Sequence, residues 1–148
     1  MNLYGVLNLP ETSLTAATTY NVACGTAPAH QKIAITGFGY YGAYNAAGTP
    51  GLLHFCRATS GGSSGTTITP LPTDDSDATT FQSTWLGYPG TPPSSITILD
   101  SREVNPQLGL TELWDEKNWY VMKGGGFWLL QFIPQVTVAY SGWLRICE

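Results

Sequence analysis

Hydrophobic and polar residues follow a two-residue period most clearly at the C-terminal end of the chain, over residues 118–148. In residues 135–147 apolar side chains occupy alternate positions, which predicts a strand with one face in a core. Phe127–Ile133 is apolar on both faces, as in a strand that is covered on both sides. With residues 119–123, which precede three glycines, these segments predict a run of three antiparallel strands.

Shorter segments of the same kind recur through the rest of the chain, separated by turns rich in Gly, Pro, Asn and Ser. No amphipathic helix of useful length is predicted. The pattern therefore predicts an all-β fold, an antiparallel, jelly-roll-like β-sandwich of about nine or ten strands. Before the C-terminal run, the predicted strands cover residues 18–24, 31–41, 52–59, 66–70, 79–86, 95–104 and 109–114.

The N-terminal segment has two interpretations. Residues 2–9 are largely apolar and we expect Pro10 to close the segment, so residues 1–10 form either a first edge strand or an arm that reaches a neighbouring subunit. Neither an internal repeat nor a linker is visible, and 148 residues are enough to bury one hydrophobic core. We therefore expect a single β-sandwich domain over residues 1–148.

Charge and length restrict the partners. The net charge is −4, and the six Lys and Arg residues are spread singly, whereas phosphate binding needs several cations on one face, so nucleic acid is not expected as a partner. The N-terminus has no secretory signal, which predicts a protein that acts where it is made or leaves the cell by lysis. Residues 124–144 carry no charge and are long enough to span a bilayer, but their alternation and Pro134 favour sheet, so no membrane partner is expected.

The cysteines and histidines do not predict a metal site. Cys24, Cys56 and Cys147 have no CxxC spacing, which favours small buried side chains in a reducing compartment. A zinc site would need a fourth ligand, and His30 and His54 are poorly spaced to provide it.

Two motifs suggest chemistry that their surroundings do not support. The segment 37–42 matches G-x-G-x-x-G, but dinucleotide binding requires a helix to start there and an acidic residue about 20 positions on, and neither is present. We interpret these glycines as relief of crowding between aromatic side chains in a twisted strand. Asp74, Asp75 and Asp77 offer three carboxylates to a calcium ion without the spacing of an EF-hand; a solvated loop is favoured and the ion stays an alternative.

Catalytic constellations are not apparent in the sequence. No Gly-x-Ser-x-Gly elbow occurs, and a hydrolase would require His54 or the carboxylates of residues 74–77 to converge in a pocket. We expect neither an enzyme nor a cofactor. Aromatic side chains near turns and chain ends are instead candidates for an interface with a partner. The candidate interface residues are Tyr4, Tyr44, Trp85, Tyr88 and Trp114.

The segment RATSGGSSGTTITPL, residues 57–71, resembles a family of small tailed-phage virion proteins. In that family a strand carrying Arg is followed by a Gly/Ser-rich loop, a Thr-Pro strand and an Asp-bearing loop, here residues 74–77. The closing segments 124–130 and 141–148 are similar to the family's last two strands, so the resemblance covers residues 52–148.

This resemblance implies a jelly-roll-like capsid decoration, or cement, protein on the virion surface, made in the host cytoplasm. It implies a homotrimer that binds the major capsid protein and stabilises the shell through contacts that bridge subunits. The alternative is a tail-associated module that binds a carbohydrate or receptor through exposed Trp and Tyr side chains. Capsid and tail positions are both left open.

Overall fold

The structure is a computed structural model that describes residues 3–42, 47–74 and 80–148. Within these ranges the chain forms twelve strands and a single 3-10 turn, Glu116–Asn118. The strands are β1 (Tyr4–Leu14), β2 (Tyr20–Thr26), β3 (Ile33–Tyr41), β4 (Gly51–Ala58), β5 (Thr66–Ile68), β6 (Leu71–Pro72), β7 (Thr84–Gly87), β8 (Thr97–Val104), β9 (Gly109–Leu113), β10 (Tyr120–Met122), β11 (Phe127–Ile133) and β12 (Val138–Cys147).

The strands form two antiparallel sheets that pack face to face. Sheet A has the order β10-β3-β12-β1-β6, with β9 also paired to β3, and sheet B has the order β5-β7-β2-β11-β4-β8. The facing quartets are β1-β12-β3-β9 and β2-β11-β4-β8, and the chain crosses between them as in a jelly roll. The predicted all-β, jelly-roll-like sandwich is therefore confirmed. Its strand number is twelve rather than nine or ten, partly because β6, with two residues, is too short to show a period.

The pairing predicted for the last three strands is wrong, although all three strands exist. β10 pairs with β3, β11 lies between β2 and β4, and β12 lies between β1 and β3. The glycines after β10 carry the chain from sheet A to sheet B instead of folding it back on itself. A two-residue period shows which side chains share a face, but it carries no information about which strand is the neighbour.

The described part of the N-terminal segment is a strand of the sandwich. β1 pairs with β12 from Tyr4 opposite Cys147 to Leu14 opposite Val138, and it pairs with β6 on its other side. The expectation that Pro10 closes this segment is wrong. β1 continues through Pro10 because its register with β12 shifts between Leu9 and Thr12. The regular ladder of hydrogen bonds is already interrupted at this shift, so the missing N–H of Pro10 breaks none of its bonds.

Both faces of β11 are covered, as its apolar sequence predicts. Trp128, Leu130 and Phe132 point into the main core between the sheets. On the other face Leu129 packs with Cys24 and Cys56 in a second, smaller cluster. The predicted burial of the cysteines is confirmed, and all three are free thiols.

A polar network joins the two sheets where β8 of sheet B approaches β9 and β10 of sheet A. Arg102 on β8 donates from Nε to Glu112 on β9 at 2.9 Å and from Nη1 to Asp100 at 2.6 Å. Tyr120 on β10 donates its hydroxyl to Asp100 at 2.9 Å, and Arg102 also lies 5.7 Å from the ring centre of Phe55. These bonds close the side of the sandwich, and charged side chains turned inward protect the edge strand β8 from further pairing.

The network makes stability depend on pH through Asp100. The hydrogen bond from Arg102 is the main reason that the pKa of Asp100 lies below its usual value. Because the pKa is lower in the folded state, the ionised Asp100 stabilises the fold at pH values above its unfolded pKa of about 3.9. This stabilisation is lost as the pH falls through the folded-state pKa. Because both partners are partly exposed, solvent screening keeps the contribution at about 1 kcal/mol or less.

We predict that Asp100→Asn lowers the free energy of unfolding at neutral pH and that its difference from the wild type disappears at low pH. Urea titrations from pH 7 down through pH 3 measure this difference. Asp115→Asn is the matched control, since Asp115 is exposed and forms no ion pair with the described residues. A wild-type advantage that persists unchanged at the lowest pH would contradict the assignment.

Candidate functional site

The outward side of sheet A is unusually apolar, and backbone pairing explains which side chains lie there. Pairing from β9 to β6 places five residues in one row across the sheet. A second row runs from β10 to β1 beside it. The first row is Leu113, Gly37, Arg145, Val6 and Leu71, and the second is Val121, Ala34, Cys147 and Tyr4.

We call this surface the outer A face and define it by these two rows together with Trp143 and Tyr41. Among the described residues, it carries five of the nine large hydrophobic side chains that are exposed. Leu113 is 61% exposed and Leu71 is 52% exposed, at opposite ends of one row. Single exposed hydrophobic residues are ordinary, whereas a contiguous group on one sheet face marks an interaction site. The five exposed members are Tyr4, Tyr41, Leu71, Leu113 and Val121.

Two glycines of β3 keep this face flat. The ring of Trp143 lies against Gly39, where any side chain would collide with it. A side chain at Gly37 would meet the backbone oxygen of Glu112 first and the side chain of Leu113 next. These positions belong to the G-x-G-x-x-G segment, and the structure places them inside a strand. Their role is to let large side chains approach the backbone, as their aromatic surroundings predict.

A single cation lies among the apolar side chains of the outer A face. Arg145 is exposed in the middle of the first row, and its guanidinium carbon lies 5.5 Å from the ring centre of Trp143. This contact is a cation–π interaction, and no carboxylate of the described residues forms an ion pair with Arg145. The face therefore offers one positive charge without a counterion in the described part of the chain.

A groove of 390 Å³ opens along this face. Its lining includes Tyr4, Leu113, Trp114, Trp119 and Arg145. The indole Nε1 of Trp119 donates to the backbone oxygen of Trp114 at 2.9 Å, which fixes the two tryptophans relative to each other. Two of the candidate interface residues, Tyr4 and Trp114, thus line the groove. Tyr4 is exposed, whereas the ring of Trp114 packs against the core residues Phe38 and Phe55 and is only partly accessible to a partner.

Two further candidates, Trp85 and Tyr88, do not lie on this face. Trp85 is 1% exposed and packs edge-to-face on Trp128 in the core, so it is a core residue and offers no surface to a partner. Its indole Nε1 donates to Ser83, which in turn donates to the carboxylate of Glu148. Tyr88 lies in the loop after β7, beside Tyr20 at the start of β2. Tyr44 lies outside the described residues.

The chemistry of the described residues is limited. They contain no group of three or more His, Cys, Asp or Glu side chains that could hold a metal ion, and Asp75 and Asp77 of the acidic loop lie outside them. Burial raises the pKa of Cys24 to about 12 and that of Cys56 to about 11, which makes both thiols poor nucleophiles at neutral pH. In the described ranges, no helix has the length and hydrophobicity needed to cross a bilayer.

No family model, curated protein or solved structure matches this chain.

We predict that Gly39→Ala destabilises the fold by about 1–3 kcal/mol, because the new methyl group overpacks against Trp143. In a Trp143→Ala background the same substitution should cost little, since the colliding ring is gone. Urea unfolding of the two single variants and the double variant measures the coupling. Gly90→Ala is the control, because a side chain at Gly90 meets only ordinary contacts. Equal losses in both backgrounds would show that Trp143 is not the obstacle.

Proposed function

We propose that this protein is a structural protein that works by contact, and that it decorates a tailed-phage capsid as a homotrimer. The observation that carries the proposal is the outer A face, where apolar side chains from five strands are exposed to water in the isolated chain. Covering such a face with further copies removes apolar area from water, which contributes about 25 cal/mol for each Å². The fold is one that viral capsid proteins use, and the resemblance of residues 57–71 to phage virion proteins supports the same role.

The position of Arg145 favours a ring over a two-fold dimer. In a dimer with its axis through the middle of the outer A face, the same patch meets itself, so two Arg145 side chains would approach each other. Two buried like charges without partners are strongly unfavourable. In a cyclic trimer the face of one copy meets a different surface of the next copy. Arg145 can then donate hydrogen bonds to acceptors on that surface.

Attachment to a shell follows from the same properties. A trimer presents each weak contact three times, and a capsid lattice repeats it many times, so modest contacts become strong by multivalency. Binding to the major capsid protein needs neither catalysis nor a cofactor. The low charge of the chain fits attachment by shape and apolar burial.

We predict that Leu113→Glu reduces self-association, because it puts a carboxylate into the buried contact. Analytical ultracentrifugation of the purified protein should give a trimer for the wild type and mostly monomer for the variant. Ile98→Glu is the matched control. Ile98 is 51% exposed, against 61% for Leu113, but it lies on the edge strand of sheet B. A wild type that stays monomeric at all concentrations, or equal effects of both variants, would overturn the proposed interface.

We predict that the protein is a stoichiometric component of purified virions and that capsids lacking it are less stable. Particles assembled without the protein should lose their contents at a lower temperature, and adding back the wild type should restore the midpoint. Adding back Leu113→Glu should restore it poorly. Capsids that withstand heat and osmotic shock equally well without the protein would rule out the cement role.

A second candidate function, carbohydrate or receptor binding at a tail, is favoured by one other cavity. It measures 350 Å³ and is lined by Thr12, Tyr20, Asn21, Tyr88 and Pro89, a mixture of aromatic rings and polar groups that suits sugars. Tyr88 adopts φ +47, a left-handed conformation that is rare for aromatic residues and is often found at functional sites. Binding to neutral glycans on an array, lost in Tyr88→Ala, would favour this function over the cement role.

A further inference from the structure

Two connections between strands of sheet B cross its outward side as a pair. Residues 59–65 lead from β4 to β5, and residues 88–96 lead from β7 to β8. In the strand order β5-β7-β2-β11-β4-β8, each connection has to pass the middle strands β2 and β11. The core fills the inner side of the sheet, so both connections run over the outer side. We call these two segments together the crossing ribbon.

Hydrogen bonds join the two segments of the ribbon to each other. Ser63 and Thr91 exchange two backbone hydrogen bonds, of 3.0 and 3.1 Å. In the described part of the chain, the ribbon is bonded to a middle strand of sheet B where the N–H of Tyr88 donates to the backbone oxygen of Asn21 at 3.1 Å. The ribbon is therefore a unit of its own that rests on the sheet.

An apolar cluster on the outward side of sheet B is buried although it faces away from the core. Leu129 pairs with Cys24 on one side and with Cys56 on the other. All three residues are at most 2% exposed, whereas outward side chains of a two-layer sandwich normally face water. Part of the chain other than the opposite sheet must therefore cover this cluster.

Glycines of the ribbon show how closely it lies on the sheet. A Cβ atom at Gly61 would lie 2.7 Å from Oγ1 of Thr26 and 3.0 Å from the ring of Phe127. A Cβ atom at Gly65 would lie 3.2 Å from Cβ of Leu86. Thr26 and Phe127 pair with each other one step along the strands from the cluster, and Leu86 lies in the same row as the cluster. The crossing ribbon thus covers the cluster.

Little apolar burial holds the ribbon closed, and part of its backbone is strained. Within residues 59–65 and 88–96, Pro93 alone is buried. Tyr88, Ser64 and Ser95 adopt φ +47, +60 and +50, left-handed conformations that cost free energy in residues other than glycine. A segment with few buried contacts and exposed hydrogen bonds opens more easily than the core unfolds.

We propose that the crossing ribbon is a gate that opens on the folded sandwich and exposes an apolar surface with two thiols on sheet B. In the closed form, burial raises the pKa of Cys24 and Cys56, so reagents that attack a thiolate do not react with them. In the open form both thiols meet water and become reactive. Opening also offers a partner an apolar surface that the closed form hides.

The test is the rate at which iodoacetamide alkylates Cys24 and Cys56 in the folded protein, followed at each site by mass spectrometry. Gly61→Ala should raise both rates by about tenfold, because the new methyl group collides with the sheet beneath the ribbon. Gly39→Ala is the matched control: it destabilises the fold from sheet A and should leave both rates unchanged. Gly90→Ala should also change neither rate, since a side chain there meets only ordinary contacts.

The wild type provides a second measurement that needs no variant to fold. Opening of the ribbon exposes little surface, so the alkylation rates should hardly change at low urea concentrations, where global unfolding already increases steeply.

Three results would overturn the proposal. If Gly39→Ala raises alkylation as much as Gly61→Ala, the thiols are reached only through global unfolding. Wild-type rates that rise with urea as steeply as global unfolding would lead to the same conclusion. Unchanged rates in Gly61→Ala would show that the ribbon does not control access to the thiols.

Discussion

The structure depends on the pairing of β12 with β1 on one side and β3 on the other. This pairing brings the first and last described strands side by side in the middle of sheet A. Its inward side chains, including Tyr140, Leu144 and Ile146, are fully buried against sheet B. Its outward side chains, Trp143 and Arg145, form the middle of the outer A face. One register therefore sets both the core and the surface that we propose as the interface.

Because the same strands build both sides of sheet A, core and contact surface constrain each other. A slip of one residue in β12 would turn Trp143 and Arg145 into the core and expose Leu144. The register shifts next to this point, between Arg145 and Ile146, where β3 contributes an extra residue. Glycines at positions 37 and 39 then make room for Leu113 and Trp143. The flat apolar face is thus a consequence of specific register and glycine placement rather than of overall hydrophobicity.

The sequence predicts the fold class because alternation and turn residues are local signals. Phe127–Ile133 is predicted with its observed bounds, since its apolar run lies between three glycines and a proline. Pairing is not local, which explains the wrong neighbours for the last three strands and the continuation of β1 through Pro10. The outer A face also escapes prediction: Leu71, Leu113 and Val121 come from three strands, and only the register shows that they share a surface. Tyr4 and Trp114 are candidate interface residues only because they are aromatic. The same reasoning wrongly includes Trp85, which lies in the core.

The central claim is that the outer A face is buried between copies of the chain, and hydroxyl-radical footprinting at low and high protein concentration tests it most directly. We predict that oxidation of Tyr4, Leu71 and Leu113 falls as the protein concentration rises, while that of Ile98 on sheet B stays constant. Equal oxidation of all four residues at every concentration would contradict it.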